Sequence, residues 1–147
     1  MSELKTLNVM LDEGAYMPTR AHDADAGLDL YTPIDFYLGY NEAKSIDTGV
    51  HVEIPAGYVG FLKSKSGLNV KSNIITEGVI DSGYTGSIVV RVRSVGNVGD
   101  YINSIKNFKA GDKITQLVIL PIETPAPVLV DNFEKTDRGD AGFGSTG

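Results

Sequence analysis

Residues 137–147, Asp-Arg-Gly-Asp-Ala-Gly-Phe-Gly-Ser-Thr-Gly, hold the parts of an anion clasp in one short stretch. Gly139, Gly142, Gly144 and Gly147 permit φ > 0, so successive backbone N–H groups can converge on one anion. Ser145 and Thr146 add hydroxyl donors, and Arg138 adds a forked cation suited to phosphate. Phe143 is an apolar plate with no core around it in sequence. Such a tail suits a molecule that is polyphosphate at one end and aromatic at the other, as a nucleotide is. On composition alone, a disordered glycine-rich terminus fits equally.

Other segments carry weaker signals. Glu77–Gly86 reads as a β-hairpin with Asp81 at its mouth. Asp81 is either an Asx-turn former or a general base that takes a proton from water. Tyr84 either covers the hairpin or serves as a platform for a sugar. Gly78 and Gly86 would let a ligand approach the backbone. Lys63-Ser64-Lys65-Ser66-Gly67-Leu68 is either a phosphate-contact loop or a solvated turn. Asp29, set between Leu28 and Leu30, needs hydrogen bonds or a nearby cation if it is buried. Gln116 enters an apolar strand and needs partners there too.

His22 and His51 form no metal pair. His51 alternates with Val50 and Val52 and is expected to face solvent. With no cysteine and two isolated histidines, a structural zinc site is not expected. Neither a phosphate-binding Gly-x-x-x-x-Gly-Lys-Ser/Thr loop nor a Gly-x-Gly-x-x-Gly turn is present, and no Ser-His-Asp arrangement is supported.

The elements that must position these residues are strands. Leu7–Leu11, Leu28–Tyr31, Phe36–Leu38, Ser45–Ile54, Tyr58–Leu62, Val70–Ile75, Gly78–Ile80, Ser87–Val92, Lys113–Pro121 and Pro127–Val130 read as short apolar or alternating runs. Turn signals recur between them at Gly39-Tyr40-Asn41, Ser82-Gly83, Gly96-Asn97, Val98-Gly99-Asp100 and Gly111-Asp112. Asn41–Ser45 and Ser66–Ser72 allow a helical turn or two. Ile114–Pro121 and Ile88–Val92 are nearly continuous, which predicts central strands or a subunit interface. The expectation is an all-β fold of about ten or more short strands. Apolar residues thin out from Asp131, so residues 1–131 are expected to form one domain and 132–147 a flexible arm.

The 147 residues are 41% apolar, enough for one core. No apolar run approaches the roughly 18 to 20 residues of a membrane span, and no secretory signal pattern is visible. The absence of cysteine is compatible with a cytoplasmic protein. A net charge of −6 argues against general nucleic-acid binding, so any phosphate site must be local.

The order of the motifs is more specific than any one of them. Ala-Gly-Leu-Asp-Leu at 26–30, Lys-Ser-Gly-Leu at 65–68, Gly-Val-Ile-Asp-Ser-Gly-Tyr-Thr-Gly at 78–86, Gly-Asp-Lys-Ile-Thr-Gln-Leu at 111–117 and Arg-Gly-Asp-Ala-Gly-Phe-Gly-Ser-Thr-Gly at 138–147 closely resemble the five ordered motifs of the trimeric deoxyuridine triphosphatase (dUTPase) family. The resemblance runs from about residue 20 to 147. It implies a distorted jelly roll, a homotrimer and Mg²⁺-assisted hydrolysis of dUTP to dUMP and pyrophosphate. That activity keeps uracil out of DNA and supplies dUMP for thymidylate synthesis.

The resemblance also implies roles. Asp81 would activate the water attacking the α-phosphorus. Gly78, Val79 and Ile80, on the hairpin running to Tyr84, would read uracil through the backbone, and Tyr84 would pack under deoxyribose. Lys65, Ser66, Gly67 and Gln116 would contact phosphates. Arg138, Gly144, Ser145 and Thr146 would bind the terminal phosphate, with Phe143 stacked over uracil. Asp29 would support the site from behind and help place the metal through water.

Two departures stand out. Lys65 occupies a position where the family usually has arginine, which loses the bidentate fork. The stretch Arg93–Ala110 is longer than usual and is read as a projecting loop, Val95–Lys106. It is either neutral loop variation or a contact surface for a regulatory protein. A dCTP deaminase of the same fold and a non-enzymatic regulatory trimer are the competing readings. Neither nucleic acid nor membrane is expected as a partner.

Overall fold

A computed structural model describes residues 4–99 and 104–144. The expected phosphate ligands Ser145 and Thr146, and residues 100–103 of the expected loop, lie outside the described residues. The described residues form ten strands and one short helix. In chain order these are β1 (Asn8–Leu11), β2 (Gly27–Tyr31), β3 (Phe36–Leu38), β4 (Ala43–Asp47), β5 (Val50–Glu53), β6 (Tyr58–Lys63), α1 (Ser66–Ser72), β7 (Ile74–Ile80), β8 (Val89–Ser94), β9 (Lys106–Phe108) and β10 (Lys113–Pro121). One sheet runs β2-β10-β6-β7-β8-β4, and β1-β5 and β3-β9 form two-stranded ribbons. Every pairing is antiparallel. The fold is all-β and jelly-roll-like, and no helix among the described residues is long and apolar enough to cross a membrane.

The strongest apolar run makes an interior strand. β10 pairs with β2 on one side and β6 on the other, with Ile114 and Leu117 fully buried. Each such side chain contributes about 1.5–3 kcal/mol on burial. Leu30, Leu62, Ile74, Ile88, Val90 and Val92 fill the same core. The β3-β9 ribbon is held by Phe36 and Phe108, stacked with ring centroids 4.5 Å apart.

The structure redraws four expected elements. Ser45–Ile54 is two strands, because Thr48 and Gly49 turn the chain and Gly49 takes φ 67°. Asn41, at φ 54°, lies in the turn before β4, so Asn41–Ser45 is no helix. Val70 belongs to α1, and the next strand starts only at Ile74, after Asn73 caps the helix in the left-handed region at φ 53°. Pro127–Val130 is no strand: every residue from 123 to 140 is exposed. Ile88–Val92 leads into an interior strand, between β7 and β4, but one face of it is open on this chain. β8 alternates, with Val90, Val92 and Ser94 inward and Val89, Arg91 and Arg93 outward.

β7 changes partners midway. Ile74, Ile75 and Thr76 pair with β8, while Glu77–Ile80 pair with β6. This frees the end of the β7–β8 connection to open as a loop around Asp81.

Candidate active site

Three of the five sequence motifs meet by strand register. Gln116 on β10 lies opposite Asp29 on β2 and opposite Lys63 on β6. The Gln116 amide donates to the Ser64 carbonyl at 2.8 Å, which satisfies the polar group that the apolar strand had to accommodate. Gly27 is required beside it: a Cβ there would lie 2.3 Å from the Gln116 amide oxygen. Under the loop, Thr115 donates its hydroxyl to the Lys63 carbonyl at 2.9 Å and shares a 2.7 Å hydrogen bond with Thr76. The Thr76 N–H in turn donates to the Ser64 hydroxyl at 3.0 Å. These buried hydroxyls shape the 63–65 loop.

Asp29 is buried, at 3% exposure, and has the partners its position demands. Lys65 Nζ donates to Oδ1, and Lys113 Nζ lies 3.1 Å from Oδ2. Burial pushes the Asp29 carboxyl up, but the hydrogen bonds from Lys65 and Lys113 outweigh it and hold the group below its ordinary value. The same contact raises Lys113. Two ammonium groups are thereby fixed around one carboxylate, leaving net positive charge beside Ser66, Gly67 and Gln116. The sequence reading missed Lys113. Its signal was the demand of a buried aspartate for cations, together with a lysine at the start of an interior strand.

Asp81 is in a different setting. It follows the last residue of β7 and is exposed. A turn through Ser82 and Gly83, with Gly83 at φ 85°, returns the Tyr84 N–H to the Asp81 carbonyl at 3.2 Å. The Tyr84 hydroxyl donates to the Ser87 carbonyl at 2.8 Å. A Cβ on Gly86 would lie 2.5 Å from that hydroxyl, so the Tyr84 ring fills the space beside Gly86. Beside Gly78, the same space is taken by Leu62. Val79, Ile80, Asp81, Tyr84, Ser87, Ile88 and Val89 line an open cavity of about 230 Å³. A larger cavity of about 550 Å³, between Leu4–Leu7 and Leu28, Tyr58 and Ile119, is lined by no carboxylate.

One chain does not bring the two settings together. Lys63 pairs with Glu77, and Asp81 lies four residues further on, just past the end of β7. At ~3.3 Å per residue that is about 13 Å. The loop of Lys65 and the turn of Asp81 occupy opposite ends of the β6–β7 pair.

The arm stands away from the core. The Ile122 N–H donates to the Gly57 carbonyl at 2.9 Å, and exposed chain follows. Val128, Leu129 and Phe133 are 78%, 98% and 89% exposed. Arg138 curls back to donate to the Ala141 carbonyl at 2.7 Å. Gly139, Phe143 and Gly144 all take positive φ, and the Phe143 ring is fully exposed. The arm therefore has the turning geometry of a clasp.

His51 lies on the outer face of β5, as its alternation with Val50 and Val52 predicts, but its ring is partly covered and has partners. Its two ring nitrogens lie 2.7 Å from the Thr85 carbonyl and 2.9 Å from Asp12 Oδ1. No group of three His, Cys, Asp or Glu side chains able to hold a metal ion occurs among the described residues.

Comparison with known proteins gives one answer. The deoxyuridine 5'-triphosphate nucleotidohydrolase of Mycolicibacterium gilvum is 40% identical, over 95% of this chain and 92% of that protein. The structure of Staphylococcus bacteriophage 80alpha dUTPase with dUPNHPP superposes with a TM-score of 0.84 at 34% identity, covering 98% of this chain and 99% of that one. A variant dUTPase from S. aureus phage phi11, which coordinates a structural Mg(II) ion, gives 0.77 at 35% identity over 88% and 99%. A family model described as dUTPase matches residues 13–147, and the chain belongs to the dUTPase family.

Proposed function

We propose that the protein hydrolyses dUTP to dUMP and pyrophosphate. Asp81 orients a water and takes its proton, the water oxygen bonds to the α-phosphorus, and the bond to the bridging oxygen of the β-phosphate breaks as pyrophosphate leaves. The observation that carries this reading is the solvent-open Asp81 carboxylate on the rim of a cavity lined by Val79, Ile80 and Tyr84. A general base must reach its water, and this carboxylate is free to do so.

The other roles follow from the same site. The backbone of Gly78, Val79 and Ile80 reads the edge of uracil. A base with the wrong donors and acceptors would leave buried polar groups unpaired. Tyr84 packs under deoxyribose and excludes a 2′-hydroxyl. Lys65, Ser66, Gly67 and Gln116 hold phosphates. Arg138, Gly144, Ser145 and Thr146 take the terminal phosphate, and Phe143 covers the base. The 132–147 arm orders on the nucleotide and shuts out water.

Mg²⁺ is the cofactor. With no three-residue ligand set among the described residues, it fits as an ion held by substrate phosphate oxygens and water. Both Asp29 oxygens are already occupied by lysines, so that carboxylate fits a role through water. When bound, the ion neutralises charge on the phosphates.

The working unit is a homotrimer with sites shared between chains. The separation of Asp81 from Lys65 along β6–β7 supports this, as does an arm whose exposed Val128, Leu129 and Phe133 find no cover on their own chain. A cytoplasmic location accompanies a nucleotide substrate. A regulatory protein contact through Val95–Lys106 is a second role. Val95 and Ile105 expose apolar surface at the base of that loop, and the 80alpha enzyme is among phage dUTPases described as controlling transfer of virulence genes.

A substrate panel tests the activity. With Mg²⁺, dUTP should release pyrophosphate, and UTP, dTTP and dCTP should not. Ammonia from dCTP would replace this reading with deamination. No pyrophosphate from dUTP would leave a non-enzymatic trimer.

A further inference from the structure

Behind the Asp81–Ser87 turn lies a set of polar contacts that the hydrolysis does not use. His51, on β5, points its ring at the back of the turn, with the side chain 23% exposed. Nδ1 is 2.7 Å from the Thr85 carbonyl and Nε2 is 2.9 Å from Asp12 Oδ1. A carbonyl only accepts, and so does an ionised carboxylate. A neutral imidazole has one N–H and cannot donate to both. The ring that keeps both contacts is therefore the cation.

Among the described residues, the charged groups that act on the ring are carboxylates. Asp12 comes from the segment after β1 and Asp47 from the end of β4. Glu53, two residues along β5, lines the same shallow cavity and accepts from Asn8. The contact to Thr85, then that to Asp12, raises the His51 pKa above its ordinary 6.5.

The ring is one of several ties between the turn and the β4–β5 hairpin. The Ser87 hydroxyl donates to Asp47. The Thr48 hydroxyl and N–H both donate to the Ile88 carbonyl. The Ile88 N–H donates to the Val50 carbonyl at 2.8 Å. The first tie, at Thr85, adjoins Tyr84, whose ring lines the cavity beside Asp81. Of these ties, the His51 bridge is the one that loses a proton near neutral pH.

We propose that the His51 imidazolium, clamped between Asp12 and the Thr85 carbonyl, is a positioning residue that holds the Tyr84 turn in its substrate-accepting place. This rests on the assignment of Asp81 and Tyr84 to the nucleotide site. The sign is fixed by the raised pKa. The clamp is fully present below about pH 6.5 and is lost as pH rises through the higher folded value. Substrate binding should weaken in that direction, with the chemical step at saturation less affected.

The test uses the intact protein. It has two histidines, His22 and His51, so proton NMR can follow each ring against pH. His51 should titrate above its ordinary value, and Asp12→Asn should bring it down. Steady-state assays on wild type and His51→Gln, from about pH 6 to about pH 9, then separate KM from kcat. Titration of dUTP itself is common to both proteins and cancels in the ratio of their KM values. At the acid end the variant's KM should exceed wild type by about threefold to tenfold, the net worth of one ordinary hydrogen bond at a partly exposed site. The ratio should fall toward one as pH rises. A ratio constant across the range, or a His51 midpoint at or below its ordinary value, would overturn the proposal. Asp81→Asn is run alongside. If it keeps turnover, the site assignment has failed; if turnover is lost while the KM ratio stays flat, the clamp alone has failed.

Discussion

Asp29 and Asp81 are both aspartates at strand-borne motifs, yet the fold treats them in opposite ways. Asp29 is buried, and each of its oxygens accepts from a lysine. Asp81 is exposed on a turn beside an open cavity. A carboxylate clamped between two ammonium groups is a poor proton acceptor, because protonation would forfeit its charge attraction to both. A carboxylate open to water can do that work. The difference is the one the proposed roles require, with Asp29 fixing charge for phosphate and Asp81 serving the reaction.

The largest effect should come from the exposed partner. Asp81→Asn should cut kcat by roughly 10²- to 10⁴-fold with dUTP binding nearly intact. Pyrophosphate release at saturating dUTP measures it, and near-normal turnover would erase the distinction. Deleting Thr136–Gly147 should lower kcat/KM by about 10²-fold through lost phosphate contacts and poorer exclusion of water. Circular dichroism and sedimentation should show fold and assembly unchanged, since the arm is exposed. Failure to assemble would place the arm among the structural elements.

For the buried partner, stability is the readout. Asp29→Asn leaves two lysines facing each other without their anion. The loss should be about 2 kcal/mol, below that of a fully buried pair because both ammonium groups reach solvent. The folded pKa of Asp29 is depressed, so its contribution is present above the ordinary 3.8 and fades as pH falls through the lower folded value. The stability gap between wild type and Asp29→Asn should therefore close on acidification below about pH 4, as seen by denaturant melts. A gap independent of pH would assign the loss to packing. The smallest effect belongs to Lys65→Arg. A guanidinium can keep the Asp29 contact and adds a fork for phosphate, so kcat/KM should stay within about threefold of wild type. A severe loss would show that the loop is shaped around an ammonium group.

Much of this arrangement was legible in the chain. The Lys113–Pro121 strand stands where its apolar run placed it. The demand of Asp29 for cations followed from its apolar neighbours. Which cations answered was not legible, because the register of β10 against β2 decides it and register is set across more than eighty residues of sequence. The run Val70–Ile75 misled because β-branched residues suit strands, while Asn73 in the left-handed region ends a helix there instead. Pro127–Val130 misled for another reason: its apolar residues pair with no strand of their own chain and stay exposed. His51 reads as a solvent-facing alternation within β5, and only the fold brings Thr85 and Asp12 to its ring.

The distance along β6 and β7 has a genetic consequence. If Lys65 and Gln116 of one polypeptide serve Asp81 of another, defects at the two ends need not be inherited together. A preparation lacking Asp81 and another lacking Gln116, each inert alone, should regain part of their turnover when unfolded, mixed and refolded, because some hybrid assemblies bring an undamaged half from each parent into one site.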